Sequence, residues 1–176
     1  MVNTNDIIDN ANLFWQYPVI TEKTFYQQNH TDEKYIGMPW ATIHDFKINQ
    51  NEIFRILIPL VDKTKTYYTC CQHIAFRKFI PVWRALNISV VYASHKIKGE
   101  DTINGITIKP CPLYAANYED NDRNELFKDK TMDELVNIKR DILYSFTGAY
   151  QAADYMSNIR PNIFKMKHPN SCYVNY

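Results

Sequence analysis

Glycine is scarce: the 176-residue chain has four, and none lies in a GxGxxG or GxxxxGK[ST] run. Those runs bring backbone N–H groups against a pyrophosphate, so their absence excludes a P-loop enzyme and a dinucleotide fingerprint. Net charge is nearly absent as well. Twenty Lys and Arg against nineteen Asp and Glu leave +1, too little to hold a polyanion, so no nucleic-acid partner is expected. No apolar run approaches the ~18 residues that cross a bilayer. The amino terminus also lacks the basic-then-apolar order of a secretory leader. A cytoplasmic location without a transmembrane segment is the expectation. Cysteine is sparse and badly spaced for metal: Cys70, Cys71, Cys111 and Cys172 form no CxxC pair, and buried thiols are expected rather than disulfides or zinc ligands. No repeat or low-complexity tract occurs.

What is present is aromatic. Phe, Trp and Tyr make up 14% of the chain, with 13 Tyr. Such rings fill cores, and they also stack on sugars and bases. Met1 to about Tyr35 gives no clear pattern. Pro39–Asp45 reads as a short strand, and Asn51–Val61 places Ile53, Phe54, Leu57, Ile58 and Leu60 on one side of a helix that Pro59 should kink or close. Tyr67–Cys71 is a short buried strand. Phe76–Leu86 is helical with a bend expected at Pro81, and Ile88–Ala93 is the next strand. Asn104-Gly105 marks a turn before Ile106–Ile108. The order strand, helix, strand, helix, strand with short connections is the signature of a Rossmann-like parallel sheet flanked by helices. Residues 1–130 form that domain. Tyr114–Lys130 is a polar connection, Thr131 N-caps a short helix with Glu134 in the capping-box position, and Asp141–Phe146, Tyr155–Met166 and Cys172–Val174 read as strand, helix and strand. Residues 131–176 thus look like the beginning of a second, incomplete Rossmann-like domain.

In an open parallel sheet, ligands bind beyond the carboxyl ends of the strands. The rule selects His44 and Asp45, Gln72 and His73, Ser94 and His95, and then Thr147 and Gly148. Three successive strand exits carrying a histidine suggest a cleft of imidazoles and one carboxylate able to deprotonate a hydroxyl. No HxxxH or HExxH spacing supports a metal, and Asp120-Asn121-Asp122 sits in a charged loop, where it reads as a solvated turn. Gly148, at a strand-to-helix turn, admits close backbone approach, and Arg160 can pair with a diphosphate. No GxSxG motif or exposed cysteine suggests covalent hydrolysis.

Several of these segments resemble, in order, exostosin-like glycosyltransferases. They are Cys71-Gln72-His73-Ile74-Ala75-Phe76-Arg77-Lys78-Phe79-Ile80-Pro81, Ser94-His95-Lys96, Pro110-Cys111-Pro112-Leu113-Tyr114, and Tyr144-Ser145-Phe146-Thr147-Gly148-Ala149-Tyr150 with Arg160. The resemblance runs from about Pro39 to Tyr176. It implies a GT-B architecture of two Rossmann-like domains, a nucleotide-sugar donor, a carbohydrate or glycoprotein acceptor, and inverting transfer without an obligatory metal or other cofactor. It implies Ser145, Gly148 and Arg160 at the donor diphosphate; inverting transfer also needs a base, for which Asp45 or His73 is the candidate, with His95 orienting the acceptor. The family's ribose-binding acidic positions have no counterpart here, which leaves as the alternative a catalytically silent carbohydrate- or nucleotide-binding domain. A small hydrolase or phosphatase using the histidine-lined cleft is a third expectation.

Overall fold

The computed structural model describes residues 4–115, 129–148 and 158–175. The chain divides into two compact units, Met1–Glu125 and Leu126–Tyr176, where the sequence reading places the boundary after residue 130. Asp120-Asn121-Asp122, Ala149-Tyr150 and the start of the helix expected from Tyr155 lie outside the described residues.

The first unit is mixed α/β. Its helices are α1 (Asn5–Asn10), α2 (Thr21–Asn29), α3 (Trp40–Asp45), α4 (Gln50–Leu57) and α5 (Ile80–Ala85), and its strands are β1 (Tyr67–Cys71), β2 (Ile88–Ala93), β3 (Thr102–Ile103) and β4 (Ile106–Pro110). The sheet order is β1-β2-β4-β3. Strands β1, β2 and β4 run parallel, with Cys71, Ala93 and Pro110 level across them. β3 turns back on β4 as a hairpin through Asn104-Gly105, both at positive φ (48° and 84°), where these two residue types are tolerated best.

Strand alternation assigns the two faces of the sheet. Thr69, Val91 and Ile108 share one register line and all are buried. Trp40, Phe79 and Trp83 lie within the same buried core, with ring centroids 5.3–5.6 Å apart. The Trp40 indole donates to the Thr69 hydroxyl at 2.8 Å. On the other face Phe25 of α2 packs on Tyr92 at 5.0 Å.

Two sequence expectations need correction. Pro39–Asp45 is the helix α3, not a strand. Trp40, Ala41, Thr42 and Ile43 are all buried, so the segment shows no helical period to read, and the N–H of Ala41 is held by a remote side chain, Glu22. Two strands, not three, therefore deliver histidines, and the βαβαβ order begins one strand later than expected. Pro81 does not bend a long helix: a 3-10 turn (Phe76–Phe79) ends there, and α5 starts afresh with the proline in its first turn, where its missing N–H costs nothing. Pro59 closes α4 through a 3-10 turn, Ile58–Leu60. The amino-terminal helices α1 and α2 gave no signal because α2 is nearly polar all round and is held by tertiary contacts.

Gly37 shows how tightly α2 is seated. A Cβ there would lie 2.4 Å from the Tyr26 ring and 2.6 Å from that of Tyr35. Gly37→Ala is expected to lower stability by about 1–3 kcal/mol, measurable by chemical denaturation.

The second unit holds α6 (Met132–Val136), β5 (Tyr144–Thr147), α7 (Ile159–Lys165) and β6 (Cys172–Asn175). Thr131 and Glu134 form the expected capping box. β5 and β6 pair in parallel, Tyr144 opposite Cys172. Among the described residues no helix is long and apolar enough to cross a membrane.

Candidate functional site

The best-organised polar cluster lies where the end of α3 meets the exit of β1. Asp45 is the last residue of α3, and His73 follows β1 by two residues. The His73 Nε2 stands 2.9 Å from Asp45 Oδ1. The backbone N–H of Ala75 donates to His73 Nδ1 at 3.0 Å. Nδ1 is therefore the unprotonated nitrogen, and the ring proton sits on Nε2, pointing at the carboxylate. Gln16 donates from Nε2 to Asp45 Oδ2 at 2.6 Å. His44 places Nδ1 3.4 Å from Oδ1, and its ring stacks on His73 with centroids 4.2 Å apart.

The charges follow from these contacts. Burial alone would raise the Asp45 carboxyl, but hydrogen bonds from Gln16 and His44 and the nearby imidazoles outweigh it, so the pKa is lowered. Burial pushes the His73 pKa down, and Asp45 only partly offsets that. At neutral pH the pair is an ionised carboxylate beside a neutral imidazole. His95, which follows β2, is half-buried and joined to the backbone of Gln72. Burial and then the charge of Arg77 lower its pKa, and it lies close enough to His73 for each charge to disfavour the other. The sequence thus names three residues, Asp45, His73 and His95, that the fold gathers in one neighbourhood.

The ligand atoms of His44, Asp45 and His73 lie within 4.8 Å of one another, as a metal would need. The Ala75 N–H argues against that use. A metal on Nε2 requires the ring proton on Nδ1, which would then face the amide hydrogen donor to donor.

Two residues that the sequence reading missed hold the pair in register. One is Gln16, in the segment that resisted interpretation. The other is Glu22, which is 2% exposed. Its Oε1 accepts the N–H of Gln72 at 3.0 Å and that of Ala41 at 3.2 Å. One carboxyl thereby joins the start of α3, which carries Asp45, to the exit of β1, which carries His73. Gln72 answers by accepting the Glu22 N–H and donating to the Val19 carbonyl, both at 3.0 Å. No local pattern flags such a residue, because its partners lie 19 and 50 positions away.

In the second unit, Ser145 lines an open hollow of ≈ 520 Å³ with Arg140, Asp141, Ile142, Leu143 and Tyr144. The Arg160 guanidinium lies beside Gly148, 3.9 Å from where a Cβ would stand. The Gly148 N–H, expected to face a phosphate, is bonded to the Asn175 carbonyl at 3.2 Å.

The class these observations define is a mixed α/β protein with a mostly parallel sheet flanked by helices, compatible with a Rossmann-like fold. No family model, curated protein or solved structure matches the chain.

Proposed function

We propose that the chain acts in sugar transfer, as an inverting, metal-independent glycosyltransferase of GT-B type whose first unit takes the acceptor. The observation that carries the reading is the Asp45–His73 pair: His73 is locked as the Nε2–H tautomer by Ala75 and bonded to a carboxylate that stays ionised at neutral pH. Both ring nitrogens of His73 are engaged, so Asp45 is the base and His73 its positioning partner. This supports Asp45 of the two candidates that the sequence left open.

In the reaction, the acceptor hydroxyl oxygen attacks the anomeric carbon and the bond from that carbon to the diphosphate oxygen breaks. The hydroxyl proton passes to Asp45 and the nucleoside diphosphate departs. A carboxylate has about four lone-pair positions, and the half-exposed Asp45 side chain keeps room for an incoming hydroxyl. Phe46 follows Asp45 in the chain and packs edge-on against Phe14, the two rings 63% and 47% exposed with centroids 5.1 Å apart. Such open rings suit the apolar face of a sugar. His95 orients the acceptor, and in the second unit Ser145 and Arg160 serve the donor diphosphate, with Arg160 as its cation, Gly148 contributing only the space that its missing side chain leaves, since its N–H is bonded to Asn175.

The test is titration calorimetry of the full chain with UDP-, GDP- and dTDP-sugars in the presence of a chelator, followed by assay of nucleotide release with oligosaccharide acceptors. Binding of one donor and chelator-insensitive release are expected. Binding without release on any acceptor would favour the silent carbohydrate- or nucleotide-binding domain, and failure of every donor to bind sinks the proposal. Phe46→Ala is expected to raise the acceptor KM about tenfold while leaving donor affinity unchanged, in line with roughly 1–3 kcal/mol for a lost aromatic stack.

A further inference from the structure

Beyond the Asp45 site, the carboxyl edge of the sheet holds a second group of reactive side chains that sugar transfer does not use. Cys70 lies in β1, Ser94 directly follows β2 and Cys111 directly follows β4. Register places Cys70, Tyr92 and Lys109 on one line, so by alternation Ser94 and Cys111 emerge on the same face as Cys70. There the three side chains meet. Cys70 Sγ stands 3.9 Å from Cys111 Sγ, and Ser94 Oγ stands 3.4 Å from it. The two sulfurs are unequal: Cys70 is 1% exposed, while Cys111 is partly open to solvent at the head of an irregular segment.

We propose that Cys111 and Cys70 form a dithiol oxidised by hydroperoxides, with Cys111 as the attacking sulfur and Cys70 as the resolving one. The Cys70 thiol and the Ser94 hydroxyl both stand within hydrogen-bonding reach of the Cys111 sulfur. With both donating to it, its pKa is lowered against the effect of burial, whereas that of Cys70 is raised by the same contact and by burial. The thiolate is the nucleophilic form, so the more accessible sulfur is also the more reactive. In the first step Cys111 thiolate attacks the peroxide; a sulfur–oxygen bond forms, the O–O bond breaks, and the departing alkoxide or hydroxide takes a proton. Cys111 becomes a sulfenic acid. In the second, the Cys70 sulfur attacks Cys111, loses its proton and expels hydroxide as water. Two thiols and one hydroperoxide give one disulfide, one alcohol (or water) and one water.

Closure takes the sulfurs from 3.9 Å to about 2.05 Å. The strand β2 lies between β1 and β4, so the movement must come from Cys111. Its own tie to the sheet is a long hydrogen bond, from its N–H to the Ala93 carbonyl at 3.4 Å, and the chain beyond is held to Ile20 and Thr21 through Pro112 and Tyr114, so the shift is confined to Cys111 itself.

The experiment treats the full-length protein with a small excess of hydrogen peroxide at pH 7, traps it with an alkylating agent and maps the peptides by mass spectrometry. A Cys70–Cys111 disulfide is expected, reversed by dithiothreitol. With Cys70→Ser, a dimedone-reactive sulfenic acid should persist at Cys111; with Cys111→Ser, neither product should form at Cys70. Iodoacetamide should label reduced Cys111 at least tenfold faster than Cys71 in the folded protein. The proposal falls if peroxide leaves both thiols free, if Cys111 pairs with Cys172 instead, or if the Cys70→Ser protein shows no sulfenic acid while its circular dichroism remains native. None of these readouts depends on sugar transfer.

Discussion

Under the proposed sugar transfer, Asp45→Asn is expected to lower the rate by about 10²–10⁴-fold, the range for loss of a positioned base, with donor affinity unchanged. Asparagine keeps the shape and one acceptor oxygen for the His73 Nε2–H, and Gln16 can turn its amide so that its oxygen accepts from the new NH2, so the fold stays intact. What disappears is the group that takes the proton. His73→Gln costs less, about tenfold, because in this arrangement the imidazole orients the carboxylate and does not receive the proton. Its signature is in the pH profile. The His73 pKa is lowered by burial, so the wild-type rate stays level down through pH 6.5 and falls only in more acid solution. There the second ring proton lands on Nδ1 and confronts the Ala75 N–H. His73→Gln removes that acid limb. The measurement is initial rate against pH for the three proteins; a His73 variant less active than Asp45→Asn would reverse the assignment of roles.

Glu22→Ala is expected to cost about 2–5 kcal/mol, because it leaves the N–H groups of Ala41 and Gln72 buried without a partner. Glu22→Gln isolates the charge. Burial raises the Glu22 carboxyl from 4.5 to about 8, against the opposing hydrogen bonds from Gln72, Ala41 and the Cys71 thiol. A raised folded-state pKa means the stability that the protonated form contributes is fully present below 4.5 and is lost as pH rises through about 8. His73 and His95 have lowered pKa values, and their contribution changes in the opposite sense, lost as pH falls below 6.5. Between pH 6.5 and 8 the Glu22 contribution therefore stands alone among these three. Wild-type unfolding free energy should drop there by up to about 1.4 kcal/mol per pH unit, the slope for one proton. The glutamine variant should be flat over the same interval in urea titrations. A wild-type protein with no slope would mean that Glu22 is ionised in the fold. Glu22→Ala should also lower transfer, since the carboxyl it removes holds α3 against the exit of β1.

What the sequence disclosed depended on how local the cause was. β1 and β2 were readable to the residue because short β-branched and aromatic runs between turns have few other uses. The Thr131 capping box and the Asn104-Gly105 turn were readable because their partners are within a few positions. Asp45 and His73 were singled out together and stand 2.9 Å apart, yet the reason for selecting them was partly mistaken: Asp45 arrives on a helix. That helix is opaque in sequence because it is buried on every side and capped by Glu22 from another element. Gln16 and Glu22 stayed hidden for the same cause. Their roles exist only after α2 has docked, and docking is decided by tyrosine and tryptophan contacts that carry no periodic mark. In the second unit, Gly148 was read from its place after a strand, but its amide is occupied by Asn175, which only pairing with β6 reveals.

The borders of the sheet have a further consequence. On the β1 side, Tyr68 exchanges hydrogen bonds with Lys34 and Ile36, and the Gln72 amide is taken by Glu22. On the other side, the two-residue β3 lies along β4. Unsaturated strand margins are where copies of a protein zip together into fibrils. Here one margin is sealed by chain from before the sheet and the other by a short hairpin, so self-association of the native molecule along these ladders is blocked. Aggregation on heating should then begin only once the segment around Lys34 has peeled away.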